Sequence, residues 1–369
     1  MSDYPGPGGR PGLTEVLPSV AARLGAPGFT DTLGVPDAQR YVVLVIDGLG
    51  AQLLAEHAPL APFLASLPSV SPLVCGVPST TATSLTSLGT GLAAGRHGVV
   101  GYTSRVPSTG RRMNALTWDD SVDPETWQPY PTVLGRLHDA GYAASSVNSA
   151  DFEHSGLTRC SQRGAPFHGI ESVWERLDVV LDVVESSPRG LVYAYESRLD
   201  HTGHHKGCTS ADWRDVLTTI DGEVEDLRRE LPADTALLVT ADHGMVDVPM
   251  DGRFDVDRVP RLRDGVEMLA GEARFRHLYT APGAAAEVAE RWRAELGDRA
   301  VVRLRDEGVE DWFGPLEASV APRIGDVLVA SLGDFSVFSS REFALETRIR
   351  GVHGSVTEVE LQVPLLAAL

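Results

Sequence analysis

Apolar positions follow two different periods along this chain. Residues 42–46, 191–195 and 236–240 are short and almost continuously apolar. Runs of that kind predict strands buried on both faces, as in a parallel sheet. Residues 143–147 predict a further strand. Between these runs the period lengthens. Val173, Leu177, Val180, Leu181 and Val184 recur at helical spacing, as do Trp213, Val216, Leu217, Ile220, Val224 and Leu227. They predict helices over 173–184 and 213–229. Further helices are expected over 13–24, over 81–92, and over 131–137, where Pro131 stands near the start and Gly141 past the end. Strand alternating with helix predicts a doubly wound α/β fold, with a mostly parallel sheet flanked by helices.

After Met245 the pattern changes. A strand over 274–280, a helix over 284–296 and a strand over 300–304 read as a smaller α+β insertion, and 326–330 and 335–338 could add strands. The expected division is an N-terminal arm (1–30), a main domain (31–250 and 320–369) and the insertion (251–319). Residues 103–130, with Trp118, Asp119, Asp120 and Trp127, are polar and irregular. They are expected to form a surface insertion near the site.

Composition narrows the partners. The 369 residues are 43% hydrophobic and 22% charged, as in soluble globular proteins. The net charge is −19, with Lys206 the single lysine. That balance argues against long nucleic acid or an anionic membrane as partner. It allows a small phosphorylated substrate, because bound metal reverses a local field. Cys75, Cys160 and Cys208 are far apart and form no metal-type cluster, which fits a reducing compartment. Residues 1–28 lack a signal-peptide pattern and no apolar run approaches a membrane span, so a cytoplasmic location is expected.

Three apolar runs end in, or lead into, Asp or His. The first is followed by Asp47-Gly48 and the third by Asp242-His243-Gly244; the run 191–195 leads to Asp200 and His204. His353 lies between glycines near the C-terminus. Open α/β sheets place ligands at the carboxyl ends of strands, and carboxylate with imidazole suits Zn2+ and similar ions. The hydroxyl-rich stretch 76–91 reads as a loop turning into a helix, where Ser or Thr can cap the helix or act as a nucleophile. Taken singly, each of these is an ordinary turn, cap or surface residue.

Taken in order, they resemble the alkaline phosphatase superfamily, and within it the nucleotide pyrophosphatase/phosphodiesterase family. The family pattern is an aspartate after the first strand, a Thr or Ser about nine residues before Thr-Gly, Asp-x-x-x-His, Asp-His-Gly and a late His-Gly. Here these match Asp47, Thr81 before Thr90-Gly91, Asp200 with His204, Asp242-His243-Gly244 and His353-Gly354. The resemblance implies an alkaline-phosphatase-like fold and two divalent ions, Zn2+ first and Mn2+ as the alternative. Asp200, His204 and His353 would hold one; Asp47, Asp242 and His243 the other. Thr81 oxygen would face both and carry the phosphoryl group transiently. It implies hydrolysis of phosphate diesters or nucleotide pyrophosphate bonds.

One position departs from the family. Its phosphoryl-binding Asn is replaced in His97-Gly98-Val99-Val100-Gly101-Tyr102 by Tyr102, which either donates from its phenol or packs in the wall. Two alternatives stand beside the diesterase reading: a phosphomonoesterase of the superfamily, and a catalytically silent metal-binding relative. Sulfatases are disfavoured because Cys75-Gly76-Val77-Pro78 lacks their Cys-x-Pro-x-Arg pattern, and phosphonoacetate hydrolase because it relies on lysines. A monoesterase needs a positive group at the phosphoryl oxygens and a diesterase an apolar pocket. Arg96, Arg111, Arg112, Arg159 and Arg163 are the candidate charges. Trp118, Trp127 and Phe152 are read as core aromatics before base-stacking ones.

Overall fold

A computed structural model describes residues 9–369. Six strands form the main sheet: β1 (Arg40–Ile46), β2 (Ala143–Ser149), β3 (Phe167–Ile170), β4 (Gly190–Glu196), β5 (Thr235–Thr240) and β6 (Leu365–Ala368). Their spatial order is β6-β5-β1-β4-β2-β3. All neighbours are parallel except β6, which runs antiparallel along β5. β1 is central and its six residues from Tyr41 on are buried, as a continuous apolar run requires when helices cover both faces.

The helix Ala211–Glu230 shows how such a layer is held. Trp213, Leu217, Ile220, Val224 and Leu227 line one face and are all buried. Each contributes about 1.5–3 kcal/mol by leaving water. Ser210 caps its start by accepting from the Trp213 N–H at 3.1 Å. Among the described residues no helix is long and apolar enough to cross a membrane. All three cysteines are buried free thiols.

The expected N-terminal arm is only partly an arm. Residues 1–8 lie outside the described residues, but Val16–Arg23 is a helix whose Leu17 and Val20 are wholly buried in the main core. The apolar spacing within 13–24 outweighs the Gly and Pro around it.

The second sheet is antiparallel, in the order Val266–Glu272, Phe275–Thr280, Val327–Ser331, Ala300–Leu304. The helix Ala285–Leu296 packs Val288, Trp292 and Leu296 with Leu269, Leu278 and Val302 of that sheet. The boundary expected at residue 320 therefore cuts through it. Val327–Ser331 fills the place between two strands of the insertion, and Ser336–Phe338 pairs with Arg253–Asp255. Backbone hydrogen bonds across 50 residues of sequence decide this, and no local pattern records them.

Residues 103–130 are more ordered than their polarity suggests. Thr103–Arg105 and Arg112–Asn114 form a hairpin, and Trp127 packs with Ala82, Val99, Met113, Leu157 and Cys160. Trp118 packs against that cluster too. Phe152 instead stays 39% exposed at the rim of the site.

Candidate active site

Strand register brings the first ligands together. Val45 of β1 is paired with Thr240 of β5, so Asp47 and Asp242, each two residues further on, leave adjacent strands side by side. Gly48 has φ +77°, and a Cβ there would sit 3.1 Å from the Asp200 Cβ. Glycine thus permits both the left-handed turn after Asp47 and the approach of Asp200. Asp200 and His204 share one face of the helix Arg198–Lys206, as their spacing of four requires.

The imidazoles are oriented from behind. His204 Nδ1 lies 2.8 Å from the Gly351 carbonyl, His243 Nδ1 3.0 Å from that of Gly244, and His353 Nδ1 2.9 Å from that of Ser79. A carbonyl only accepts, so each Nδ1 carries a proton and each ring turns its Nε2 inward. There the Nε2 atoms meet carboxylates. His243 Nε2 is 3.3 Å from Asp47 Oδ1 and 3.5 Å from Asp242 Oδ2. His204 Nε2 is 3.3 Å from Asp200 Oδ2, and His353 Nε2 is 3.7 Å from Asp200 Oδ1. The His243 and His353 rings stack at 3.6 Å, joining the two halves.

Such a cluster is unfavourable without a cation. Burial, then the charges of Asp200 and Asp242, push Asp47 well above the usual carboxylate range, and burial raises Asp242 as well. Burial, with His243 and His204 beside it, holds His353 well below the usual imidazole range. Asp47 Oδ1, Asp200 Oδ1 and Asp242 Oδ2 are buried with no hydrogen-bond partner. Asp47, Asp242 and His243 offer donor atoms all within 4.8 Å of one another, and so do Asp200, His243 and His353. Lone pairs converging from neutral imidazoles and orphaned carboxylates fit divalent ions of the Zn2+ kind.

Thr81 opens the helix Thr81–Thr90, and its Oγ1 lies 3.2 Å from His243 Nε2. Its neighbours are neither caps nor solvated. Ser79 is fully buried, donates from Oγ to the Ser355 carbonyl at 2.7 Å and accepts from the Gly354 N–H at 3.2 Å. Thr80 occupies the N-cap position, but its side chain makes no capping bond.

The cluster floors a cavity of about 430 Å³. Tyr102 lines its wall, with Asn114 within reach of the phenol; burial pushes that phenol up, against Asn114, which lowers it. Leu85, Leu116, Phe152, Leu157, Leu345 and Ile349 supply the apolar lining, and no arginine or lysine is among the lining residues. The candidate arginines are engaged elsewhere. Arg96 pairs with Glu317, Arg111 with Asp119, Arg112 with Glu342, and Arg159 with Asp123 and Glu125. Arg163 donates to main-chain carbonyls, those of Arg159 and Gln128 among them.

Two site residues escaped the sequence reading. Tyr195 donates its hydroxyl to Asp47 Oδ2. A phenol at the end of a wholly buried strand needs a polar partner, and that signal was available. Glu272 lines the cavity, and burial pushes its carboxyl up to about 8, against the Thr80 hydroxyl, which lowers it. It ends a strand that the apolar pattern did not mark.

Comparison with known proteins places this geometry. Residues 41–356 match the family model described as type I phosphodiesterase/nucleotide pyrophosphatase. Murine ectonucleotide pyrophosphatase/phosphodiesterase 5 superposes with a TM-score of 0.71 at 19% identity, covering 89% of this chain and 88% of that one. Phosphonoacetate hydrolase from Sinorhizobium meliloti, solved with phosphonoacetate, gives 0.68 at 19% identity and 90% coverage of both. These likenesses establish the alkaline-phosphatase-like fold. Among curated sequences, phosphopentomutase of Sinorhizobium fredii is 29% identical over 171 residues, which is 42% of this chain. That match spans only 40% of the relative's length. With the family model covering most of its length, the chain belongs to the type I phosphodiesterase/nucleotide pyrophosphatase family.

Proposed function

We propose that this chain hydrolyses phosphate diesters or nucleotide pyrophosphate bonds through a phosphothreonine on Thr81. The observation that carries the reading is the cavity lining, which combines apolar side chains with an absence of arginine and lysine. A phosphomonoester presents a dianion whose extra oxygens call for fixed positive charge. A diester needs apolar room for its second ester group instead, and Leu85, Phe152 and Leu157 offer it.

Asp47, Asp242 and His243 would hold one divalent ion, and Asp200, His204 and His353 a second, Zn2+ or Mn2+, which lower the proton affinity of the hydroxyl and stabilise the leaving oxygen. Thr81 sits at the electropositive start of its helix, where an anionic phosphoryl group is favoured. Its Oγ1 gives up its proton and forms the new bond to phosphorus as the bond to the leaving alkoxide, or to the leaving phosphate of a pyrophosphate, breaks, the leaving oxygen taking up a proton. Water then displaces Thr81, and the hydroxyl is restored. Tyr195 holds Asp47 in place throughout. Tyr102 contributes to the wall beside the phosphoryl group, in the place of the family Asn.

The phosphopentomutase likeness favours a second reading, in which a sugar monoester is the substrate. Kinetics on bis-p-nitrophenyl phosphate, p-nitrophenyl phosphate and the p-nitrophenyl ester of thymidine 5′-monophosphate separate the two. Diester preference that disappears in Thr81→Ala supports our reading. Monoester preference moves the chain to the second. Bound metal without turnover on any of the three points to the silent relative.

A further inference from the structure

Five acceptor atoms in or beside the cavity are buried without a hydrogen-bond partner: Asp47 Oδ1, Asp200 Oδ1, Asp242 Oδ2, Gln162 Oε1 and Glu272 Oε1. The first three belong to the Asp and His groups that fit divalent ions. Glu272 belongs to neither group. It is only 7% exposed and lines the cavity on the side of the smaller sheet. Gly354 leaves the room it occupies: a Cβ there, at φ +127°, would lie 2.6 Å from the Glu272 Cγ.

Arg276, Arg274 and Arg112 are already committed. Arg276 donates through its fork to Glu346 and through Nε to the Val337 carbonyl at 2.9 Å. Arg274 is bidentate to Glu360. Arg112 donates to Glu342 and to the Leu269 carbonyl. His353 Nδ1 is 3.9 Å from Glu272 Oε2, but its proton goes to Ser79. Burial disfavours the ionised form of this carboxyl, and a cation bound beside it would favour that form. Glu346 and the ring of Tyr102 line the same end of the cavity. Glu346, although paired with Arg276, adds a second carboxylate to that end.

We infer that this end of the cavity binds a protonated primary amine carried on one ester arm of the substrate. The inference rests on the diester reading and names its substrate class: a phosphodiester with an aminoalkyl arm. Primary ammonium is the species because Oε1 lacks an N–H donor, which a quaternary ammonium cannot supply. The arm is short. Glu272, Thr80 and Thr81 line the same cavity.

The test compares p-nitrophenyl 2-aminoethyl phosphate with p-nitrophenyl propyl phosphate, which has nearly the same shape without the charge. Wild type should favour the amine by tenfold or more in kcat/KM. In Glu272→Gln and Glu272→Asp that ratio should fall, and it should fall furthest in Glu272→Gln. A trimethylammonium arm should lose most of the advantage. Equal rates on the amine and propyl esters overturn the inference and leave the diester reading standing. Failure of every diester removes the diester reading instead. Calorimetry with ethanolamine on the full-length protein then decides the amine site by itself: binding in wild type that weakens tenfold in Glu272→Gln supports it, and no binding overturns it.

Discussion

His353 Nε2 lies 3.3 Å from His204 Nε2, while both rings have given their Nδ1 proton to a backbone carbonyl. The two Nε2 atoms therefore face each other, with the Asp200 carboxylate beside both. Burial disfavours the proton on His353 that would bridge them. A divalent ion would resolve the conflict, since His204, His353 and Asp200 could together hold it.

Chelation should therefore abolish activity and lower thermal stability together. At a thousandfold excess over its Kd, an ion that binds only the folded chain stabilises it by about 4 kcal/mol. Melting curves with EDTA, and after reloading with Zn2+ or Mn2+, check this. An unchanged melting temperature on complete metal removal would sink the two-ion reading.

Tyr195→Phe tests the support behind the ligands. The substitution removes the hydroxyl that donates to Asp47 Oδ2 and leaves that buried oxygen unpartnered. A loss of about 1–3 kcal/mol in stability is expected, with metal affinity falling about 10–100-fold. Metal titration of the apoprotein reads the second effect; unchanged affinity would assign Tyr195 to packing alone.

Arg274 and Glu360 are both wholly buried, with the guanidinium Nε and Nη2 at 3.1 Å and 2.6 Å from the two carboxylate oxygens. Glu360 Oε1 also accepts from the Ser355 N–H at 2.9 Å, two residues beyond His353. Glu360→Gln leaves a buried guanidinium uncompensated and should cost about 3–5 kcal/mol. Urea denaturation measures that cost. Weaker metal binding should accompany it, because the loop carrying His353 loses its anchor. The apolar double variant Arg274→Met, Glu360→Leu should recover part of the stability without recovering the anchor.

His97 and His277 make stability depend on mild acid. Burial, with Arg323 beside it, lowers His97 to about 3; burial lowers His277 to about 3 against the Val100 carbonyl, which raises it. In each ring Nδ1 accepts from a backbone N–H, that of Val99 at 3.2 Å and that of Gly325 at 3.0 Å, so neither can take a proton in place. The unfolded chain binds those protons near pH 6.5 and the folded chain does not. The stability is complete above about 6.5 and declines as pH falls from there toward 3. Urea midpoints at pH 7.5 and 5.0 should differ in wild type and differ less in His277→Asn, whose amide oxygen can still accept from Gly325. Equal pH dependence in the two proteins would contradict the assignment.

Much of the candidate site was legible because its candidate ligands follow strands that are themselves legible. Asp47 and Asp242 stand directly after apolar runs with no room for another reading of those runs. Asp200 and His204 lie one helical turn apart, and Thr81 opens a helix whose start the hydroxyl-rich stretch announces. Glu272 and the strand Val327–Ser331 were not legible as part of one unit, because pairing across distant segments leaves no local period. β6 was hidden for a similar reason: four apolar residues at the end of the chain become a strand only because β5 offers an open edge.

By itself, the sequence determined the alternation of strand and helix, the chemical kind of each ligand and their order along the chain. Those depend on side-chain period and residue type, which are local. The tertiary structure decided which side chains converge, that arginine and lysine stay out of the cavity, and that several buried carboxylate oxygens there are left without a hydrogen-bond partner. Those depend on register, burial and competition for hydrogen bonds between segments far apart in sequence. They exist only once the chain has closed on itself.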